Sequence, residues 1–123
     1  MVTPERPTLD QLKTWLGNPA PVADLRTQIR DAPVTVQMLE QMREAVPDVR
    51  AIPFLRYSVY REFEHIGARK GYENPYHQRR AALTRALVEY IMGDESMLAP
   101  LEDLLWAICE ETTWVLPAHE EQG

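Results

Sequence analysis

Apolar residues recur at helical intervals along the chain, and turn-forming residues punctuate them. Thr8 and Gln11 have the spacing of a capping box, Leu9, Leu12 and Leu16 follow as a stripe, and Gly17 supplies a stop. Asn18-Pro19-Ala20-Pro21 reads as a linker. A second helix carries Val22, Leu25 and Ile29 and ends before Pro33. Thr35 then caps a third helix, with Leu39, Met42 and Val46 inward and Pro47 as its end.

Pro53 suits the first turn of a fourth helix, where its missing N–H has no intrahelical partner. There Leu55, Val59, Phe63 and Ile66 share a face of about 80°, while Tyr57, Tyr60 and Glu64 lie opposite. Two tyrosines and a carboxylate on one side describe either a helix buried on both sides or one lining a cleft. Gly67 and Gly71 bracket a basic loop, and Asn74-Pro75 opens the next helix with a cap and a proline. Its stripe is Tyr76, Leu83, Leu87, Tyr90 and Ile91. Arg80 falls inside that apolar sector, so its guanidinium either meets a carboxylate or carbonyls, or reaches water past a packed stem.

Gly93-Asp94-Glu95 is a short turn, so the following helix returns antiparallel in an αα-hairpin of residues 75–92 and 100–113. Pro100 sits in its first turn; Leu101, Leu104, Leu105, Ile108 and Thr112 face inward, Trp106 and Glu110 outward. Proline then forces the apolar segment Thr112-Thr113-Trp114-Val115-Leu116-Pro117 out of helix. The tail lacks a capping element and reads as a cut end. No strand, repeat or low-complexity pattern occurs, and the fold class is all-α.

Composition narrows the partners. A 123-residue chain with 45% hydrophobic and 26% charged residues is an ordinary globular domain. Its net charge of −6 works against non-specific binding to nucleic acid or an anionic membrane, so a polyanion would need a focused site. Neither an apolar signal region nor a membrane-length run occurs, and the cytoplasm is the expected compartment. The single cysteine, Cys109, forms no intrachain disulfide and reads as a small buried hydrophobe rather than a nucleophile.

Chemistry is sparse. His65, His77 and His119 are far apart, with no H-x-x-x-H or C-x-x-C, so neither metal nor cofactor is expected. No Gly-rich phosphate loop or nucleophile elbow is present. Adjacent Glu110 and Glu111 point about 100° apart on a helix and read as a solvated face rather than a facing acid–base pair.

Four blocks carry a resemblance. They are Ile52-Pro53-Phe54-Leu55-Arg56-Tyr57-Ser58-Val59-Tyr60-Arg61-Glu62-Phe63, then Tyr76-His77-Gln78-Arg79-Arg80, then Gly93-Asp94-Glu95. The longest is Leu104-Leu105-Trp106-Ala107-Ile108-Cys109-Glu110-Glu111-Thr112-Thr113-Trp114-Val115-Leu116-Pro117-Ala118-His119. In this order they resemble the heparinase II/III-like proteins over residues 50–119. The chain then divides into short N-terminal helices (1–50) and a heparinase II/III-like helical-hairpin segment (51–123), within one compact unit.

The resemblance implies a polysaccharide lyase with an N-terminal (α/α) toroid of helical hairpins followed by a β-sandwich. Such enzymes cleave uronic-acid polysaccharides by β-elimination: the carboxylate is neutralised, a Tyr or His abstracts the C5 proton, and an acid protonates the leaving oxygen. This chain stops short of the positions where the family carries its acid–base residues, so no catalytic set transfers. Substrate-binding candidates do transfer: Tyr57, Glu111, Trp114 and His119. Trp114 stacks on a sugar or plugs the core between hairpins; His119 meets a uronate or makes a loop hydrogen bond. The partner implied is an acidic polysaccharide or oligosaccharide, and self-association is expected if one hairpin flank lies uncovered. The contrasting reading is a non-enzymatic helical module with a groove for a protein partner.

Overall fold

The computed structural model of the chain describes residues 5–30 and 32–117, and among these it holds seven α-helices, one 3-10 turn and no strand. α1 (Leu9–Trp15) forms as its cap dictates: the Gln11 N–H bonds the Thr8 hydroxyl at 3.2 Å and the Thr8 N–H bonds the Gln11 side chain at 2.8 Å. Its stripe faces solvent, however, and the helix buries no residue.

α2 (Val22–Arg30) packs on α3 (Pro33–Ala45) and on the long helix described below. Thr35 lies inside α3 rather than at its cap. Pro33 takes the first position after an extended Ala32, because a proline fixes φ for the helix and pushes the residue before it out of helix. Leu39 and Val46 turn inward, the helix ends at Ala45 ahead of Pro47, and Val49 beyond it is buried in the core.

The helix expected from Pro53 is shorter and broken. It appears as α4 (Tyr57–Tyr60) and α5 (Glu62–Ile66), with Arg56 extended ahead of it. The Pro53 carbonyl, which a helix would offer to a following N–H, accepts from the Arg79 side chain at 2.8 Å. Leu55, Val59 and Phe63 are half-buried, while Ile66 is exposed.

α6 (Lys70–Ile91) starts four residues before the Asn74 cap expected from sequence, so Pro75 lies inside the helix. The stop that matters is Gly67, whose left-handed φ of +71° closes α5 and lets the chain re-enter helix at once. Gly71 sits where α4 comes close: a Cβ there would lie 3.0 Å from a Val59 methyl. The buried face of α6 is Tyr72, Arg79, Ala82, Ala86 and Glu89, not the stripe of Tyr76, Leu83, Leu87, Tyr90 and Ile91. It is turned by about one residue, or 100°. Ala82 and Ala86 leave room for a neighbour to approach, so the smallest side chains lie at the closest packing while the larger leucines flank it.

That neighbour is α7 (Leu98–Cys109), reached through Gly93 and a 3-10 turn at Glu95–Met97. Asp94 fixes the connection by accepting from the Ser96 N–H and hydroxyl, and the same bonds hold its carboxyl below the usual range. Pro100 lies in the first turn, and Trp106 and Glu110 face outward as the pattern predicts. Leu101 and Leu104 fill the core with Val46, Val49, Ala82, Ala86 and Met97. Leu105 and Thr112 are exposed instead of inward, and so is Cys109, correcting its reading as a buried hydrophobe. No helix among the described residues is long and apolar enough to cross a membrane.

Candidate functional site

Arg79 and Arg80 are adjacent on α6, so they point about 100° apart. Both still reach one carboxylate. Glu111, two residues past the end of α7, accepts from Arg79 at 3.3 Å and from Arg80 at 2.6 and 3.2 Å. Its side chain is only 2% exposed, so the solvated face expected for Glu110 and Glu111 holds for Glu110 alone. A buried carboxylate needs such partners, and here both oxygens have one. The guanidiniums are satisfied in turn: Arg79 also donates to the Pro53 and Ala107 carbonyls, and Arg80 to the Tyr76 carbonyl. Of the two outcomes open for Arg80, the structure has the carboxylate.

Aromatic rings extend from this clamp. The Arg80 guanidinium lies 3.4 Å from the Tyr76 ring centroid, close enough for a strong cation–π contact. Tyr76 then neighbours Tyr72 at 6.2 Å, Tyr72 meets Tyr60 edge-on at 5.0 Å, and Tyr60 stacks with Tyr57 at 6.5 Å. Burial and the Glu111 charge push the Tyr72 hydroxyl above its usual pKa, partly offset by Arg80 and Arg79. At the outer end Tyr57 is 71% exposed, its hydroxyl accepting from Arg61 at 3.0 Å.

Trp114 joins the other end. Its backbone carbonyl accepts from the Tyr76 hydroxyl at 2.9 Å, and its indole N–H donates to the Ile108 carbonyl at 2.9 Å. The residue is 60% exposed, so it is not a core plug. The structure therefore brings Glu111 and Trp114 together around Tyr76 and Arg80, with Tyr57 several rings away. His119 lies outside the described residues.

Residues 56–80 hold six lysines and arginines against three glutamates, but Arg79 and Arg80 are paired with Glu111 and Arg61 with Glu64, which leaves Arg56, Arg69 and Lys70 as the exposed cations of this stretch. Two open hollows meet at Gly71 on this side, one of about 360 Å³ lined by Gly67 to Gly71 and one of about 280 Å³ beside Phe54, Arg56 and Val59. Among the described residues no group of three or more His, Cys, Asp or Glu side chains could hold a metal ion.

A second buried clamp escaped the sequence reading. Glu89 accepts from Arg43 and Arg85 at 2.8 Å each, and Arg85 also donates to the Val46 and Pro47 carbonyls. The i,i+4 spacing of Arg85 and Glu89 was its visible signal, though that spacing more often marks a solvated pair. Comparison with protein-family models, with curated proteins and with solved structures finds no match for this chain.

Proposed function

We propose that this chain forms an N-terminal helical part of a heparinase II/III-like polysaccharide lyase, acting by β-elimination on uronic-acid polysaccharides and contributing cleft surface. In this reading α6 and α7 are one antiparallel hairpin of a partial (α/α) toroid. The exposed Leu105 and Trp106 belong to a flank that a neighbouring hairpin or a second copy covers.

The observation that carries the reading is where the resembling blocks meet. Glu111 from the longest block is bonded to Arg79 and Arg80 from the second, and Arg79 reaches Pro53 in the first. Three separated blocks that converge on one charged and aromatic cluster are what a shared site requires, and unrelated likenesses would have no reason to do so. The chemistry fits as well. Exposed Tyr57 and Trp114 offer aromatic surface to sugars, and the exposed Arg56, Arg69 and Lys70 at the two hollows attract carboxylates or sulfates.

The test is the absorbance of unsaturated uronate product from a panel of acidic polysaccharides. In the whole lyase, Trp114→Ala should mainly raise KM if its ring stacks on ground and transition states alike. His119→Ala should lower kcat if the imidazole meets charge that develops during elimination. Residues 1–123 alone should give no turnover, since this stretch carries no assigned base. Robust turnover by residues 1–123, or unchanged kinetics in both variants, overturns the assignment.

A further inference from the structure

We infer that Glu111 is a positioning residue: clamped between Arg79 and Arg80, its carboxylate fixes the chain beyond α7 so that Trp114 presents its open ring face to a pyranose. The inference rests on the carbohydrate reading for its ligand, and on geometry alone for its mechanics.

Beyond Cys109 the helical ladder ends, and side chains hold the segment in its place. Glu111 holds Arg80, Arg80 lies over the Tyr76 ring, and the Tyr76 hydroxyl bonds the carbonyl of Trp114. The circuit closes three residues from where it began. A second tether runs from the Trp114 indole N–H to the Ile108 carbonyl, which also accepts the Glu111 N–H at 3.2 Å. Glu111 itself is closed to a ligand, since its side chain is buried with both oxygens turned to Arg79 and Arg80. The Trp114 side chain in turn has no donor to offer, because its indole N–H is engaged. What remains is the indole face, a flat apolar surface suited to the C–H face of a sugar ring rather than to its hydroxyls.

The test follows the Trp114 indole N–H by NMR in the 123-residue chain, with the Trp15 and Trp106 indoles as references. Glu111→Gln should speed hydrogen exchange at Trp114 by about tenfold, the loss of one modest hydrogen bond's protection. Tyr76→Phe should do the same with the ion pairs intact, which keeps the inference testable if Glu111→Gln fails to fold. Glu110→Gln, at the exposed carboxylate next to Glu111, should leave Trp114 at the wild-type rate. Titration with an alginate or heparin tetrasaccharide gives the second readout. Glu111→Gln should weaken binding about tenfold, yet add nothing to Trp114→Ala in the double variant, because it acts through that ring. Unchanged indole exchange in Glu111→Gln and Tyr76→Phe, or additive losses in the double variant, overturns the inference. No tetrasaccharide binding by the wild type would end the carbohydrate reading, while the exchange measurement still decides the positioning role.

Discussion

Glu89→Ala should lower the unfolding free energy by about 3–5 kcal/mol, a large share of what a domain of this size has. The Glu89 side chain is 5% exposed and faces two arginines of different kinds. Arg43 is half-exposed and can turn its head to water when the carboxylate goes. Arg85 cannot, because its stem is enclosed and its guanidinium is held by the Val46 and Pro47 carbonyls. The loss is therefore mostly that of a buried charge left without its counter-ion. Arg43→Ala should cost about 1 kcal/mol or less, in the range of a half-exposed pair. Urea unfolding of both variants checks the contrast, and equal losses would contradict it.

Leu104→Ala should cost about 2–5 kcal/mol and Leu105→Ala under about 1 kcal/mol, although hydropathy alone ranks the two alike. Leu104 is 0% exposed at the centre of the small core, where its removal leaves a cavity that the packed Ala82 and Ala86 cannot fill. Leu105 is 46% exposed and has little to lose. Because the two are neighbours on one helix, the difference between them measures how α7 is turned against α6. Thermal or urea melts of the pair read it directly, and a reversed order would mean that the rotated interface is wrong.

Much of the fold was legible in local chemistry. The Thr8–Gln11 cap, the break ahead of Pro47, the turn at Gly93 and the outward Trp106 all follow from nearest neighbours in sequence, where backbone rules act. The face of α6 was not legible, because a hydropathy stripe selects large apolar residues. Close approach instead selects Ala82 and Ala86, and pairing lets Arg79 and Glu89 go inside. The start of α6 was missed for a related reason: Asn74-Pro75 is a sound local signal, but the left-handed Gly67 had already ended the preceding helix. In the candidate site, the need of Arg80 for a partner could be argued from its position in an apolar sector. That the partner is Glu111, from 31 residues away, could not, because adjacency to Glu110 made it look solvated.

The most direct test of the carbohydrate assignment is a calorimetric titration of the chain with matched acidic and neutral oligosaccharides, repeated with Trp114→Ala. Binding of uronate-containing oligosaccharides is expected to be weak and saturable, to fall with rising salt, to be absent for neutral sugars, and to drop at least about tenfold in Trp114→Ala. Equal uptake of neutral and acidic sugars, or acidic binding indifferent to the loss of Trp114, would contradict it.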